Sequence, residues 1–361
     1  VSPVRFSELK ARGVPVSNRE RAVGGGGRKP RPGLRFEELR EAEELEAPID
    51  KAEEEKEEDL YQKTFLYYNH VLSSVRQGID FSLQTGFEII TRVVAALERR
   101  DTLYVQALYA KGPLDFLAEH CVNTAIYSIK MGATLEFARQ QRVELGMVGL
   151  FHDVGKARID EGILYKTGRL SKEELETLRK VPAYGYDLLK TFGPQYRYLA
   201  ECTLQVYERL DGSGYPRGLK GDEIHEYAQI VGLVDVYEAL THTRPQREKY
   251  LHFTAVKEII KSGKKLFLRS HLKALLNSFS VFPIQSYVKL NSNAIARVIE
   301  TYPDQPMRPK VQIISDAQGR RVWTDHIVNL PDNPLLHIVD SVSEPELTET
   351  KPGGRRHETT A

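Results

Sequence analysis

The sequence predicts an all-α protein, a helical bundle closed by a short β-containing appendage towards its C-terminal end. Apolar residues recur at three- and four-residue steps from Leu60 to Ser262, the spacing of one buried helix face. After Phe282 the style changes to short extended runs broken by turns. The chain has 361 residues, 41% of them hydrophobic and 28% charged, which is enough for a sizeable core. Collagen-like, mucin-like and wholly disordered chains are excluded by that composition.

Residues 1–59 differ from the rest. Residues 1–33 carry eight basic side chains against Glu8 and Glu20 and contain a run of four glycines, Gly24 to Gly27. From Leu34 to Asp59 the sign reverses, with thirteen acidic residues against Arg35, Arg40, Lys51 and Lys56. Few apolar positions could dock, so a disordered stretch followed by a solvated linker is expected, with an interaction arm as the alternative. Over residues 60–113 two or three helices are expected before Asp101, marked by Phe65, Leu66, Val71, Leu72 and Val75 and then by Ile89, Ile90, Val93, Val94 and Leu97. Residues 114–280 form the main helical domain, with helices over 114–131, 135–151, 172–189, 196–210, 224–240 and 253–262. Residues 281–330 are expected as the β appendage, with strands at 286–290, 296–301, 311–314 and 321–323 and a turn at Asp316-Ala317-Gln318-Gly319. Residues 331–361, interrupted by Pro334, Pro345 and Pro352, are expected as a flexible tail.

The charge balance, 51 Lys and Arg against 50 Asp and Glu, gives no global reason to bind nucleic acid or an anionic membrane, so any phosphate recognition is local. Cys121 and Cys202 are too few and too scattered for a disulfide framework or a thiolate metal site. No apolar run approaches the roughly 18 residues of a membrane span. A soluble protein of the reducing cytoplasm is expected.

Four segments carry chemistry. Phe151-His152-Asp153-Val154-Gly155-Lys156 ends an apolar helix, and an imidazole and a carboxylate at that depth need partners. Taken alone, the pair is more simply a satisfied structural contact. Glu208-Arg209-Leu210-Asp211-Gly212-Ser213-Gly214-Tyr215-Pro216 is a loop set by its glycines and proline, or an ordinary helix-ending turn. Asp235 interrupts the apolar helix from Ile230 to Leu240, where a metal ion or a cationic partner would offset its burial. Arg244 and Arg247 lie about one turn past that helix and suit bidentate phosphate binding, or a solvated helix end. His70, His225, His242 and His252 read as surface or packing residues.

Together, in this order, FHDVGK, ERLDGSGYP, AQIVGLVDVYEALTHTRP and FPIQSYVKLNSNAIARVIE resemble the HD-GYP family, bacterial HD-superfamily phosphohydrolases that degrade cyclic di-GMP. The resemblance spans roughly residues 60–328. It implies an HD-type helical bundle with a metal centre inside it, held here by His120, His152, Asp153 and Asp235. It also implies Lys156 and Asp153 as the catalytic pair, Lys156, Arg244, Arg247 and Tyr215 as substrate contacts, and Gly214, Tyr215 and Pro216 as the GYP element, which the family associates with the pocket rim and with GGDEF-type diguanylate cyclases.

Three further family ligands are histidines, and the matching positions are Val181, Val206 and Tyr207. The Glu of three-metal members falls on Phe116. Valine cannot ligate, and a phenol is a poor substitute for neutral imidazole at pH 7. The expectation is therefore a degenerate centre with one divalent ion of the Mn, Fe, Co, Ni or Zn type, or none. Three functions stay open: a weakly active or non-catalytic module that binds cyclic di-GMP or a partner such as a GGDEF cyclase, a single-metal phosphohydrolase of a phosphodiester or nucleotide, and an interaction scaffold. A homodimer is compatible with each.

Overall fold

The structure, a computed structural model, describes residues 57–109, 116–242, 250–302, 304–323 and 325–343. Apart from the start of the first helix, the expected disordered segment lies outside the described residues, as does the chain beyond 343.

The helical body opens with α1 (Glu57–Gln77), α2 (Leu83–Arg99) and α3 (Thr102–Tyr109). In α1 the buried positions Leu60, Thr64, Tyr68, Val71 and Leu72 fall on one stripe, as the periodicity requires. Ser82 starts α2 by accepting the Thr85 amide at 3.2 Å, an N-cap worth about 1 kcal/mol. α4 (Phe116–Thr134) and α5 (Arg139–Phe151) follow. α4 is buried over most of its length, so it is the axis of the bundle. Gly149 of α5 lies against α4 so closely that a Cβ would come within 2.8 Å of the Ala125 Cα. That close approach places the end of α5, and with it His152, beside His120 of α4.

After a 3₁₀ turn over Val154–Arg158 come α6 (Glu161–Leu164), α7 (Lys172–Leu178), α8 (Val181–Leu189) and α9 (Arg197–Gln205). The single helix expected over 172–189 is two helices. Pro182 in the first turn of α8 cannot supply the amide that would continue α7, and it restricts the residue before it. A capping box at Ser171 and Glu174 fixes the start of α7. α10 (Glu226–Thr241) is buried on nearly every side, including the polar Asp235 and Glu238. α11 (His252–Gly263) was anticipated, whereas α12 (Arg269–Ser278) was not.

Five strands complete the described chain: β1 (Tyr287–Leu290), β2 (Ile295–Glu300), β3 (Lys310–Ser315), β4 (Ile327–Asn329) and β5 (Ile338–Val342). They form one antiparallel sheet in the order β4-β3-β2-β1-β5. Alternate residues Val288, Leu290, Ala296, Val298, Val311 and Ile313 face a core that also holds Val281, Phe282 and Leu330, with Phe253 and Leu276 of the helical body packed on it. Each fully buried valine or leucine contributes roughly 1.5–3 kcal/mol. Phe253 stacks on Phe282 at 5.1 Å, and Tyr109 donates to the Ile284 carbonyl.

Two expectations for this region are corrected. The sheet does not stop at residue 330, because Ile338–Val342 pairs with β1. Only Ile338 of that strand is fully buried, so it lacks the alternation that marks a strand in sequence. The strand expected over 321–323 is reduced to an isolated bridge between Arg321 and Ser315, because Asp316 turns the chain by accepting the Gln318 and Arg320 amides, each at 2.9 Å.

Candidate metal centre

Three helices bring the expected ligands together. His120 comes from the second turn of α4, His152 caps the end of α5, and Asp235 comes from the middle of α10. The His152 Nδ1–H donates to the Gly149 carbonyl at 2.7 Å, which leaves the lone pair on Nε2, and Nε2 has no hydrogen-bond partner. Nδ1 of His120 is held by the Glu238 carboxylate, so Nε2 of that ring also points to the centre. His120 Nε2 lies 3.1 Å from Asp235 Oδ1 and 3.5 Å from Asp153 Oδ2. His152 Nε2 lies 3.8 Å and 3.4 Å from the same two oxygens. One donor atom each from His120, His152 and Asp235 falls within 4.8 Å of the others. Donors separated by about 3–4 Å suit one ion with bonds of about 2.0–2.2 Å. The buried, unpartnered Nε2 of His152 and the mixed nitrogen and oxygen donor set fit such an ion.

Asp153 stands apart from that trio although it is near both imidazoles. Its Oδ2 is held by the Lys156 ammonium, and its Oδ1 accepts the Tyr207 hydroxyl at 2.5 Å. Burial opposes ionisation of both Asp153 and Asp235. Lys156, His152 and His120 outweigh it at Asp153, and the neighbouring His120 and His152 outweigh it at Asp235, so both carboxyls are held well below the usual range.

The remaining expected positions fall as follows. Val181 is buried with Ile159, Leu164 and Leu178, and its carbonyl meets Gly155 so closely that a Cβ there would lie 2.1 Å away. Val206 is fully buried, and its carbonyl accepts Arg209 Nη1 at 3.0 Å. Tyr207 stacks on Tyr215, with ring centroids 5.1 Å apart and planes 10° apart, and the Arg179 guanidinium lies over the Tyr215 ring. Burial first, then the Asp153 and Asp235 carboxylates, pushes the Tyr207 phenol well above its usual pKa. Gly214, Tyr215 and Pro216 belong to a loop tied down by Glu208, whose carboxylate accepts the Arg217 amide at 2.7 Å and the Leu219 amide at 3.0 Å. Phe116 packs edge-on against Tyr165. Arg244 and Arg247 lie outside the described residues.

Sequence reasoning missed the shell behind His120. Glu238 is three residues past Asp235 on the same helix, is buried, and also receives Asn123 Nδ2 at 3.4 Å. The Tyr61 hydroxyl donates to Asn123 Oδ1 at 2.8 Å and closes that chain. A second carboxylate one turn from Asp235 in an otherwise apolar helix was the available signal. His242 approaches the Glu238 carboxylate at 3.4 Å and the Ala107 carbonyl at 2.9 Å.

The chain resembles known protein families in two stretches. Residues 104–267 match the family model described as HD domain. Residues 287–350 match a second model, the KOW domain associated with HD domain, which covers the five-stranded sheet. The chain is 31% identical over 195 residues to the cyclic di-GMP phosphodiesterase PdeB of Borreliella burgdorferi, covering 54% of this chain and 51% of that protein. It is 24% identical over 255 residues to the cyclic di-GMP phosphodiesterase PA4108 of Pseudomonas aeruginosa, covering 71% and 61%. It is 33% identical over 153 residues to the 3'3'-cGAMP-specific phosphodiesterase 3 of Vibrio cholerae, covering 42% and 33%. The chain thus spans between a third and three fifths of the length of these relatives. Among the described residues no helix is long and apolar enough to cross a membrane.

Proposed function

We propose that the HD domain of this chain binds a cyclic dinucleotide at a centre holding a single divalent transition-metal ion, and hydrolyses it slowly or not at all. The observation that carries this reading is the contrast within the site. His120, His152 and Asp235 converge on one point, while Val181 and Val206 are buried among apolar and backbone neighbours and Tyr207 donates to Asp153. A second ion has no donors at those three positions. One ion of the Mn, Fe, Co, Ni or Zn type would polarise a phosphoryl oxygen. The protein's own groups do the rest. Glu238 and the Gly149 carbonyl fix the two imidazole tautomers, Lys156 brings a positive charge beside the centre, and Arg244 and Arg247 are proposed as contacts to phosphate oxygens.

Relatives named for cyclic di-GMP and for 3'3'-cGAMP share one ligand chemistry, two purine nucleotides joined by phosphodiesters. The test is elemental analysis of protein purified without chelator, calorimetric titration with each dinucleotide, and product analysis. A single ion, saturable binding that weakens with salt and negligible turnover are expected. Rapid turnover would make the chain a single-metal phosphohydrolase instead. Loss of both metal and nucleotide binding would leave an interaction scaffold.

A further inference from the structure

α1 precedes the stretch that matches the HD-domain model, yet it reaches the metal centre from behind. Its Tyr61 hydroxyl donates to Asn123 Oδ1 at 2.8 Å, Asn123 Nδ2 donates to Glu238 Oε1 at 3.4 Å, and Glu238 Oε2 holds Nδ1 of His120. The links come from α1, α4 and α10, and each one fixes the next. An amide can present either its oxygen or its nitrogen, and a phenol that donates to the oxygen of Asn123 turns the nitrogen towards the carboxylate. Burial first, then the Glu119 and Glu238 carboxylates, pushes the Tyr61 phenol well above its usual pKa, which keeps it a donor. Asn123 is fully buried and Glu238 is 2% exposed, so this carboxylate takes its orientation from hydrogen bonds rather than from water. Two turns further along α1, Tyr68 meets Phe151 edge-on at 5.7 Å, and Phe151 is the residue before His152. The same helix thus stands behind both imidazoles.

We propose that α1 belongs to the metal centre: Tyr61, acting through Asn123 and Glu238, holds His120 with its Nε2 turned towards the ion. Tyr61 is a positioning residue, two links removed from the ligand. The unit that binds metal therefore begins with α1 rather than near residue 104. The expected effect on affinity rests on the metal reading above, whereas the hold on His120 exists without an ion.

The test uses the full chain and Tyr61→Phe, which keeps the ring and removes the donor. In metal-free protein the Nδ1–H resonance of His120, read by ¹⁵N-edited NMR, should move upfield as its bond to Glu238 loosens. Mn²⁺ affinity, read by titration, should fall about threefold to tenfold, less than for a group that touches the ligating imidazole itself. In a Glu238→Gln background the same substitution should cost nothing further, because the chain of hydrogen bonds is already cut. Asn123→Ala breaks that chain one link nearer and decides the matter if Tyr61→Phe fails to fold. An unchanged resonance and affinity would overturn the proposal. So would an equal loss with and without Glu238, which would make Tyr61 a packing group. If wild type binds no Mn²⁺, the single-ion reading falls, and the resonance alone decides the role of Tyr61.

Discussion

His120, His152 and Asp235 meet from three helices with their donor atoms converging, whereas Val181, Val206 and Tyr207 offer two buried isopropyl groups and a phenol already engaged with Asp153. The difference lies in what each corner costs without metal. An imidazole buried without partner or ion leaves a polar group unsatisfied, at about 1–3 kcal/mol, while a buried valine contributes about 1.5–3 kcal/mol. At the first corner Glu238 and the Gly149 carbonyl satisfy Nδ1 of each ring, and the unpartnered Nε2 of His152 carries the cost that an ion would relieve. The second corner has no imidazole to satisfy. One helical frame thus holds a convergent polar corner beside an apolar one.

The largest test of this contrast is Asp235→Ala. It removes the only oxygen ligand of the converging trio, and metal affinity should fall on the order of a thousandfold, read by titration and elemental analysis. Full metal content in the variant would mean that the first corner is a structural ion-pair cluster. Next is Gly155→Ala, which probes how tightly the second corner is packed. The new Cβ would lie 2.1 Å from the Val181 carbonyl oxygen and 2.8 Å from the Gly185 amide nitrogen. Backbone cannot yield as a flexible side chain does, so a loss of about 2–4 kcal/mol is expected in denaturant unfolding. A loss under about 1 kcal/mol would show α8 free to shift.

Glu238→Gln keeps the size of the group behind His120 and removes its charge. Metal affinity should fall about 10- to 100-fold, the range for the partner of a ligating imidazole. An unchanged affinity would make Glu238 a packing group.

The smallest effect comes from the start of α10. His225 Nδ1 accepts the Tyr227 amide at 3.1 Å, and burial holds its pKa below the usual 6.5. The unfolded chain therefore takes up the proton first. Stability should be full above about pH 6.5 and decline slightly as pH falls below it, until the folded state is protonated too. His225→Asn supplies a cap that does not titrate and should remove that part of the pH dependence in chemical unfolding.

The bundle was legible because its apolar periodicity is strong, and the His-Asp pair and Asp235 stood out as polar groups in apolar helices. His120 became visible only through the resemblance to a family, since one histidine in a buried helix has no local signature. Glu238 escaped notice because its role depends on α10 crossing α4, which no local pattern encodes. The break between α7 and α8 was written at Pro182 and was overridden by the continuity of apolar spacing. β5 was hidden because an edge strand with a single buried residue carries almost no alternation.

That last strand has a consequence for how the chain is made. β1 lies inside the sheet, with β2 on one side and β5 on the other, and its pairing to β5 runs from Tyr287 with Val342 to Leu290 with Ile338. During synthesis β1, β2 and β3 emerge in order and can pair as they appear, but one side of β1 stays an open row of amides and carbonyls until residues 338–342 leave the ribosome. The helical domain is complete by then, and Phe253 and Leu276 already offer the surface on which the sheet packs. Closing this sheet is thus the late, long-range step of folding. Nascent chains that stall before Ile338 should present an unpaired edge to chaperones, although the helices that carry His120, His152 and Asp235 are already in place.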